Sequence, residues 1–314
     1  MRSTLSACAL GAALAFAGLA PLPVLGASPP ATLASRIAPP DRAVIQHFEA
    51  AGMRDIRPHA LTPAELAQVE QALARLPALH RRVLDTHLRH LSFVDGVPGQ
   101  GTALTSQVGD SARFDITLRA SALHESLSHF LTTKERRLFE ADASGHTVTI
   151  EADGADALTY LLLHEATHVL DMSSKLTEQP DNAFGRGIWQ APTAQGGVAL
   201  ALQLAPKLAA SPAAATRFRG AGPIAASRAR THYDALAHTP FVSFYATAAP
   251  GEDLAELVAW HVISRRHGRT LSIGVHDADG ALLARYEPMR FPAVQARLAL
   301  VERLLAQAEP DGAA

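Results

Sequence analysis

The residues best suited to chemistry lie at positions 164–168. They read His-Glu-Ala-Thr-His, so His164 and His168 are four residues apart and Glu165 lies between them. On an α-helix, residues four apart lie one turn apart on one face, and two imidazoles can then converge on a single cation. A helical H-E-x-x-H is typical of a zinc site whose glutamate acts as general base. We therefore predict a zinc-binding helix here.

The surrounding residues favour this prediction. Leu161, Leu162 and Leu163 precede the motif, and Val169 and Leu170 follow it. Polar groups inside such an apolar helix cost free energy unless they have partners. The alternative is a pair of core histidines with ordinary hydrogen-bond partners. A zinc site has the advantage of using both histidines and the glutamate. The helix itself is predicted to begin at Asp153 or Gly154.

A catalytic zinc site also needs a third protein ligand, with a further position left for water. No histidine follows His168 by six residues, which argues against the longer H-E-x-x-H-x-x-G-x-x-H pattern. Downstream, Pro250 and Gly251 predict the start of a helix that runs to about Arg266. Glu252 and Glu256 lie one turn apart on it.

Other roles for these acids stay open. Glu252 could simply favour the positive end of the helix dipole, with Glu256 on a solvated face. Asp171 is a rival third ligand. It is the less suitable one, because a residue three after His168 on the same helix has difficulty facing the same metal.

At these two segments the chain resembles the lethal-factor-type zinc metallopeptidases, which include the catalytic domain of anthrax lethal factor and the Pro-Pro endopeptidases. In that family a tyrosine precedes the ligand glutamate by seven residues, and the glutamate begins an E-x-x-A-E helix. Tyr245 and Glu252 have this separation, and residues 252–256 read Glu-Asp-Leu-Ala-Glu. The family's first motif also carries an aspartate three residues after the second histidine, which Asp171 matches.

The resemblance implies a role for each matched residue. Glu252 would be the third zinc ligand, and Tyr245 would donate a hydrogen bond to the tetrahedral intermediate. Glu256 would accept a hydrogen bond from a ligand histidine. Asp171, like Glu256, would lie just outside the metal ligands and support them. Tyr233 remains a rival for the role of Tyr245.

The elements that must position these residues predict an α+β fold that is mainly helical. We expect a zincin-like metallopeptidase domain with a small mixed sheet packed on the H-E-x-x-H helix, preceded by a helical hairpin. Thr62, Pro63 and Glu65 predict the start of the first hairpin helix, and the second begins near Pro77. Further expected elements are half-buried strands around 114–119 and 147–151, a short strand at 91–94, and helices at 132–139 and 197–208.

The predicted organisation is a signal peptide at 1–27, a Pro-rich leader with little structure at 28–41, an N-terminal helical region at 42–110 and the catalytic domain at 111–310. An apolar, Ala/Leu-rich run after Arg2 indicates the signal. Its removal takes away Cys8, the single cysteine, so no thiol remains for catalysis or disulfides. We expect export to a bacterial periplasm or secretion, with no membrane anchor after cleavage.

Charge excludes some partners and leaves others. Without residues 1–27 the chain has 27 basic residues against 30 acidic ones. This nearly neutral balance argues against nucleic acid as a partner. The function we predict is an exported zinc metalloendopeptidase with one Zn²⁺, acting on peptide or protein substrates. The alternative is a catalytically inactive zinc-binding protein of the same fold that serves as a binding or scaffold module.

Overall fold

The computed structural model describes residues 32–97, 103–179, 181–191 and 201–307. The helices within these ranges are α1 (Arg42–Ala50), α2 (Pro63–Ala74), α3 (Ala78–His87), α4 (Leu127–Arg136), α5 (Ala157–Ser174), α6 (Pro206–Ala209), α7 (Ala229–Ala237), α8 (Pro250–His261) and α9 (Pro292–Ala306). None of these helices has the length and apolar character to cross a bilayer.

The strands are short and fall into small sheets. They are β1 (Arg57–Pro58), β2 (Leu88–Asp95), β3 (Ala103–Gln107), β4 (Phe114–Arg119), β5 (Phe139–Glu140), β6 (Thr147–Glu151), β7 (Trp189–Gln190), β8 (Gln203–Leu204), β9 (Ile224–Ala225), β10 (Ser272–His276) and β11 (Leu282–Tyr286). The described part of the chain therefore has the predicted α+β class, with many helical residues and small sheets.

The largest sheet is mixed and has the order β1-β2-β4-β3. Strands β2 and β4 are parallel, whereas β3 pairs with β4 antiparallel and lies at the edge. A second sheet, β11-β10-β6, is antiparallel throughout. Because β2 and β4 share a sheet, the boundary that we predicted at residue 110 falls inside that sheet.

Helix α5 lies at the centre of the fold, with nearly all of its residues buried. It begins after Asp156, whose carboxylate accepts from the backbone N–H of Thr159 at 2.6 Å. The prediction that Asp153 or Gly154 opens the helix is wrong. Both residues have positive φ, 38° and 70°, and form a turn before the cap.

Helices α2 and α3 follow each other as predicted, and both pack against α5 rather than mainly against each other. Thr62 caps α2 in a reciprocal arrangement with Glu65, as the sequence indicated. Helix α8 also packs along α5 and continues as a π-helical turn through Arg266. The predicted second helix of the site is thus confirmed.

Strand β4 is confirmed in position but not in exposure. All six of its residues are buried, since the strand lies between β2 and β3 and also contacts helix α5. The polar residues that were expected to face solvent have partners instead. The hydroxyl of Thr117 lies 2.8 Å from that of Ser92, and Asp115 accepts from Arg89 Nε at 2.9 Å.

Two predicted helices differ from the structure. The one expected from Thr132 or Thr133 begins earlier, as α4, because Ser126 accepts from the backbone of His129 and caps it. The one expected at 197–208 lies partly outside the described residues. Its remaining part forms β8 and the single-turn α6.

The predictions for the N-terminal segment can be compared with the structure only from residue 32 onward. The signal peptide at 1–27 and leader residues 28–31 lie outside the described residues. The rest of the leader is structured, since Leu33–Arg36 forms a 3₁₀-helix and Ile37 bridges to Leu91. Arg36 also donates to the backbone oxygen of Leu84 at 2.8 Å. The expectation of little structure is wrong for residues 33–37.

Candidate metal centre

Helix α5 brings the two motif histidines together. Their Nε2 atoms lie 3.1 Å apart, and the rings meet edge to face with centroids 4.8 Å apart. Two imidazole nitrogens that face each other at this distance repel unless a proton or a cation lies between them. The helix therefore presents a pair of donors to one point in space.

The start of α8 supplies the third donor. Glu252 Oε2 lies 3.0 Å from His164 Nε2 and 3.4 Å from His168 Nε2. Within the described part of the chain, these residues form a group that could hold a metal ion. The third member of this group is the residue that the family resemblance implied as a ligand.

The spacing of these donors fits a tetrahedral ion. Zinc bonds of 2.0–2.2 Å in tetrahedral geometry place ligand atoms about 3.3 Å apart. The three separations, 3.0, 3.1 and 3.4 Å, lie close to that value. The His168 and Glu252 side chains are 18% and 21% exposed, so the group is open to solvent on their side.

The electrostatics of the site also favour a cation. Burial alone would lower the pKa of His164, but the Glu252 and Glu256 carboxylates outweigh it and raise that pKa to about 10. Burial would raise the pKa of Glu252, and the two histidines hold it well below its usual range instead. A position that holds a proton this strongly also attracts a metal cation.

Glu256 is held in a dense network one turn further along α8. Its carboxylate accepts from the Tyr160 hydroxyl, from Ser243 Oγ at 2.6 Å and from Trp260 Nε1 at 3.2 Å. Lys134 Nζ lies 3.4 Å away. Burial would raise the pKa of Glu256, but Lys134 and the neighbouring donors keep it lowered. The carboxylate is therefore charged and fixed in direction.

Tyr245 lies beside the three donors. Its ring stacks near that of His164 at 6.0 Å, Phe218 meets it edge-on at 4.9 Å, and Lys134 Nζ lies 3.6 Å from its ring centre. Burial and the Glu252 carboxylate raise its pKa well above the usual value. The hydroxyl thus keeps its proton and can donate a hydrogen bond. The rival Tyr233 instead donates to Glu135 at 2.7 Å.

Asp171 has a local partner. Its two oxygens accept from the backbone N–H and the hydroxyl of Thr177 at 2.8 and 2.7 Å. They close the turn after α5. One of these oxygens would lie 3.2 Å from a Cβ added at Gly251, so Asp171 also marks the close approach of α5 to the start of α8.

A cavity of about 360 Å³ opens onto these groups. Its walls include all three donors, Glu165 and Tyr245, and also the side chains of Phe130, Lys134, Tyr160, Leu161, Met172 and three residues of strand β3, Ala103, Leu104 and Thr105. The sequence did not single out Thr105 or Lys134. Residues 103–107 read Ala-Leu-Thr-Ser-Gln, without an alternation of apolar and polar side chains that would indicate β3, and no local pattern marks Lys134.

Thr105 contacts the predicted general base directly. Its hydroxyl donates to Glu165 Oε2 at 2.6 Å. Glu165 is buried on α5, and Thr105 belongs to the edge strand of the largest sheet. Helix α5 and the largest sheet thus meet at Glu165, the predicted general base.

No family model, curated protein or solved structure matches this chain.

Proposed function

We propose that this chain is an exported zinc metallopeptidase of zincin-like fold that hydrolyses peptide bonds. The observation that carries the proposal is the joint approach of His164, His168 and Glu252 beside a buried Glu165. Two histidines and one glutamate with an open side match the donor set of catalytic zinc sites. A purely structural zinc site is usually closed by four protein ligands.

The surroundings of the cavity support a peptide substrate. Strand β3 lies at a sheet edge along the cavity, and extended peptides commonly add to such edges through backbone hydrogen bonds. A neighbouring cavity of about 410 Å³ is lined by Gln107, Lys175 and Glu178. Met172 lines both cavities, so the two lie next to each other. Together they would form the substrate groove.

In the proposed reaction, a Zn²⁺ ion held by His164, His168 and Glu252 would supply a Lewis acid for the scissile carbonyl and would make a water acidic enough to ionise near neutral pH. Glu165 takes the proton of the attacking water and passes it to the leaving amine. Tyr245 donates a hydrogen bond to the developing oxyanion, which its raised pKa permits.

The test combines metal content with turnover. Purified protein is digested against a peptide library with and without a chelator, and zinc is measured by mass spectrometry. Glu165→Gln should retain zinc and lose activity by roughly 10²–10⁴-fold, the usual contribution of a general base. Glu252→Ala should lose zinc, whereas Glu70→Ala, an exposed acid on α2, should not.

Two outcomes would contradict the proposal. Bound zinc without chelator-sensitive cleavage in the wild-type protein would indicate a zinc-binding scaffold. Unchanged zinc content in Glu252→Ala would mean that the third ligand is a different residue.

A further inference from the structure

Thr105 and Glu165 form a short contact between two separate elements. The distance of 2.6 Å from Thr105 Oγ1 to Glu165 Oε2 lies in the range of hydrogen bonds from a hydroxyl to a charged carboxylate. The same hydroxyl is 3.5 Å from the Glu165 backbone oxygen, so the carboxylate is the better acceptor. The contact joins strand β3 to helix α5.

The position of the threonine is set by the sheet. Thr105 pairs with Ile116 in the antiparallel register of β3 on β4, and β4 is buried on both faces. Threonine is also branched at Cβ, which restricts its χ1 angle. The hydroxyl is therefore aimed by the sheet, independently of the helix that carries its acceptor.

The position of the glutamate depends on this partner. Glu165 is 6% exposed, and among the described residues Thr105 is the hydrogen-bond partner of its carboxylate. A glutamate has three side-chain torsions, and several rotamers would be open to it without a fixed partner. With Oε2 held by Thr105, the lone pairs of Oε1 are left for a water molecule.

We propose that Thr105 is a positioning residue that fixes the Glu165 carboxylate by hydrogen bonding to one of its oxygens and leaving the other for the attacking water. The inference rests on the proposed peptidase function for its catalytic consequence. The contact itself does not depend on that function. Because β3 also lines the groove, the strand that would bind substrate is the strand that orients the base.

The test compares three variants of the zinc-loaded full chain. Thr105→Val removes the hydroxyl but keeps the branched shape and the backbone of β3. We expect kcat to fall about 10–100-fold, as for loss of a hydrogen bond to a charged group, with KM changed less than about twofold. Thr105→Ser should restore most of kcat. Thr147→Val, the same change at an exposed position of strand β6 that does not line the cavity, should match the wild type.

A second readout does not need turnover. Unfolding constants are measured in the presence of chelator for the wild type, Thr105→Val, Glu165→Ala and the double variant, which form a double-mutant cycle. We expect the effect of the double variant to differ from the product of the two single effects by a factor of about 5 or more. Additive effects, or a kcat loss that Thr105→Ser does not restore, would overturn the inference. If the cycle shows coupling but the wild-type protein has no peptidase activity, the proposed function is contradicted. The positioning contact between Thr105 and Glu165 then still stands.

Discussion

Glu256 Oε1 lies 3.4 Å from His164 Nδ1, while the other nitrogen of that ring lies 3.0 Å from Glu252 Oε2. The Glu256 contact is that of an ion pair rather than an aligned hydrogen bond. It nonetheless places a fixed negative charge behind the ring. Such a carboxylate favours a proton on Nδ1 and thereby directs the Nε2 lone pair at the proposed metal position.

Replacing Glu256 by Gln should therefore weaken zinc binding. We expect the affinity to fall about 10–100-fold, the usual cost of losing an outer carboxylate behind a ligand histidine. Competition with a chromophoric chelator measures this on folded protein, as judged by circular dichroism. Glu70→Gln serves as the control. An unchanged dissociation constant in a folded Glu256→Gln variant would show that the charge behind His164 is not needed.

Arg297 joins the C-terminal helix to the start of α8. Its guanidinium contacts both oxygens of Asp253 at 2.8 and 2.9 Å, and both residues are buried. Arg297→Met leaves the Asp253 charge without this partner and should destabilise the fold by about 3–5 kcal/mol. Denaturant unfolding of chelated protein measures the loss.

A matched control for Arg297 lies on the same helix. Arg303 is exposed, and Arg303→Met should change stability by less than about 0.5 kcal/mol. Adding Asp253→Asn to Arg297→Met should recover part of the loss, because the buried charge is removed with its partner. Equal stability of Arg297→Met and Arg303→Met would contradict the importance of the buried pair.

The cap of α2 gives a smaller, local effect. Thr62 Oγ1 accepts from the backbone of Glu65, and Glu65 Oε2 accepts from the backbone of Thr62 at 2.8 Å. Thr62→Ala should destabilise the protein by about 1 kcal/mol, since it leaves a helix-end N–H without its acceptor. Thr62→Ser keeps the oxygen and should be nearly neutral. Thermal unfolding of the two variants would show whether the hydroxyl or the methyl group matters.

His80 predicts how stability depends on pH. It is fully buried on α3, and its Nε2 lies 2.9 Å from Thr167 Oγ1. That hydroxyl donates to the backbone oxygen of Leu163, so His80 Nε2 must donate to it. Burial, with a smaller effect of Arg266, lowers the pKa of His80 from 6.5 to about 4. Between these values the unfolded chain binds more protons than the folded one.

Neutral His80 thus makes its full contribution to the stability of the folded state above pH 6.5, and this contribution is lost as the pH falls towards 4. We expect wild-type stability to decrease by about 2–3 kcal/mol more than that of His80→Gln over this range. Unfolding by denaturant in the presence of chelator removes any effect of metal release. Parallel pH profiles for the two proteins would mean that His80 is not the group responsible.

Short-range patterns account for what the sequence determined. The four-residue spacing of His164 and His168, the cap formed by Thr62 and Glu65, and the helix start at Pro250 each depend on backbone geometry within one or two turns. The alternation in residues 147–151 likewise predicted a strand with its apolar side chains buried. These features follow from the periods of helices and strands alone.

Contacts between distant segments were decided by the tertiary structure. The sequence alone left Glu252 as one of several possible acids, and only the packing of α8 along α5 brings it within 3.4 Å of both histidines. Local periodicity carries no information about which surfaces meet. For the same reason, the hydrogen bond from Thr105 to Glu165 and the burial of Asp115 depend on neighbours supplied by the folded sheet. The sequence thus determined the chemistry that its local spacing allows, and the packing of the whole chain decided which residues complete it.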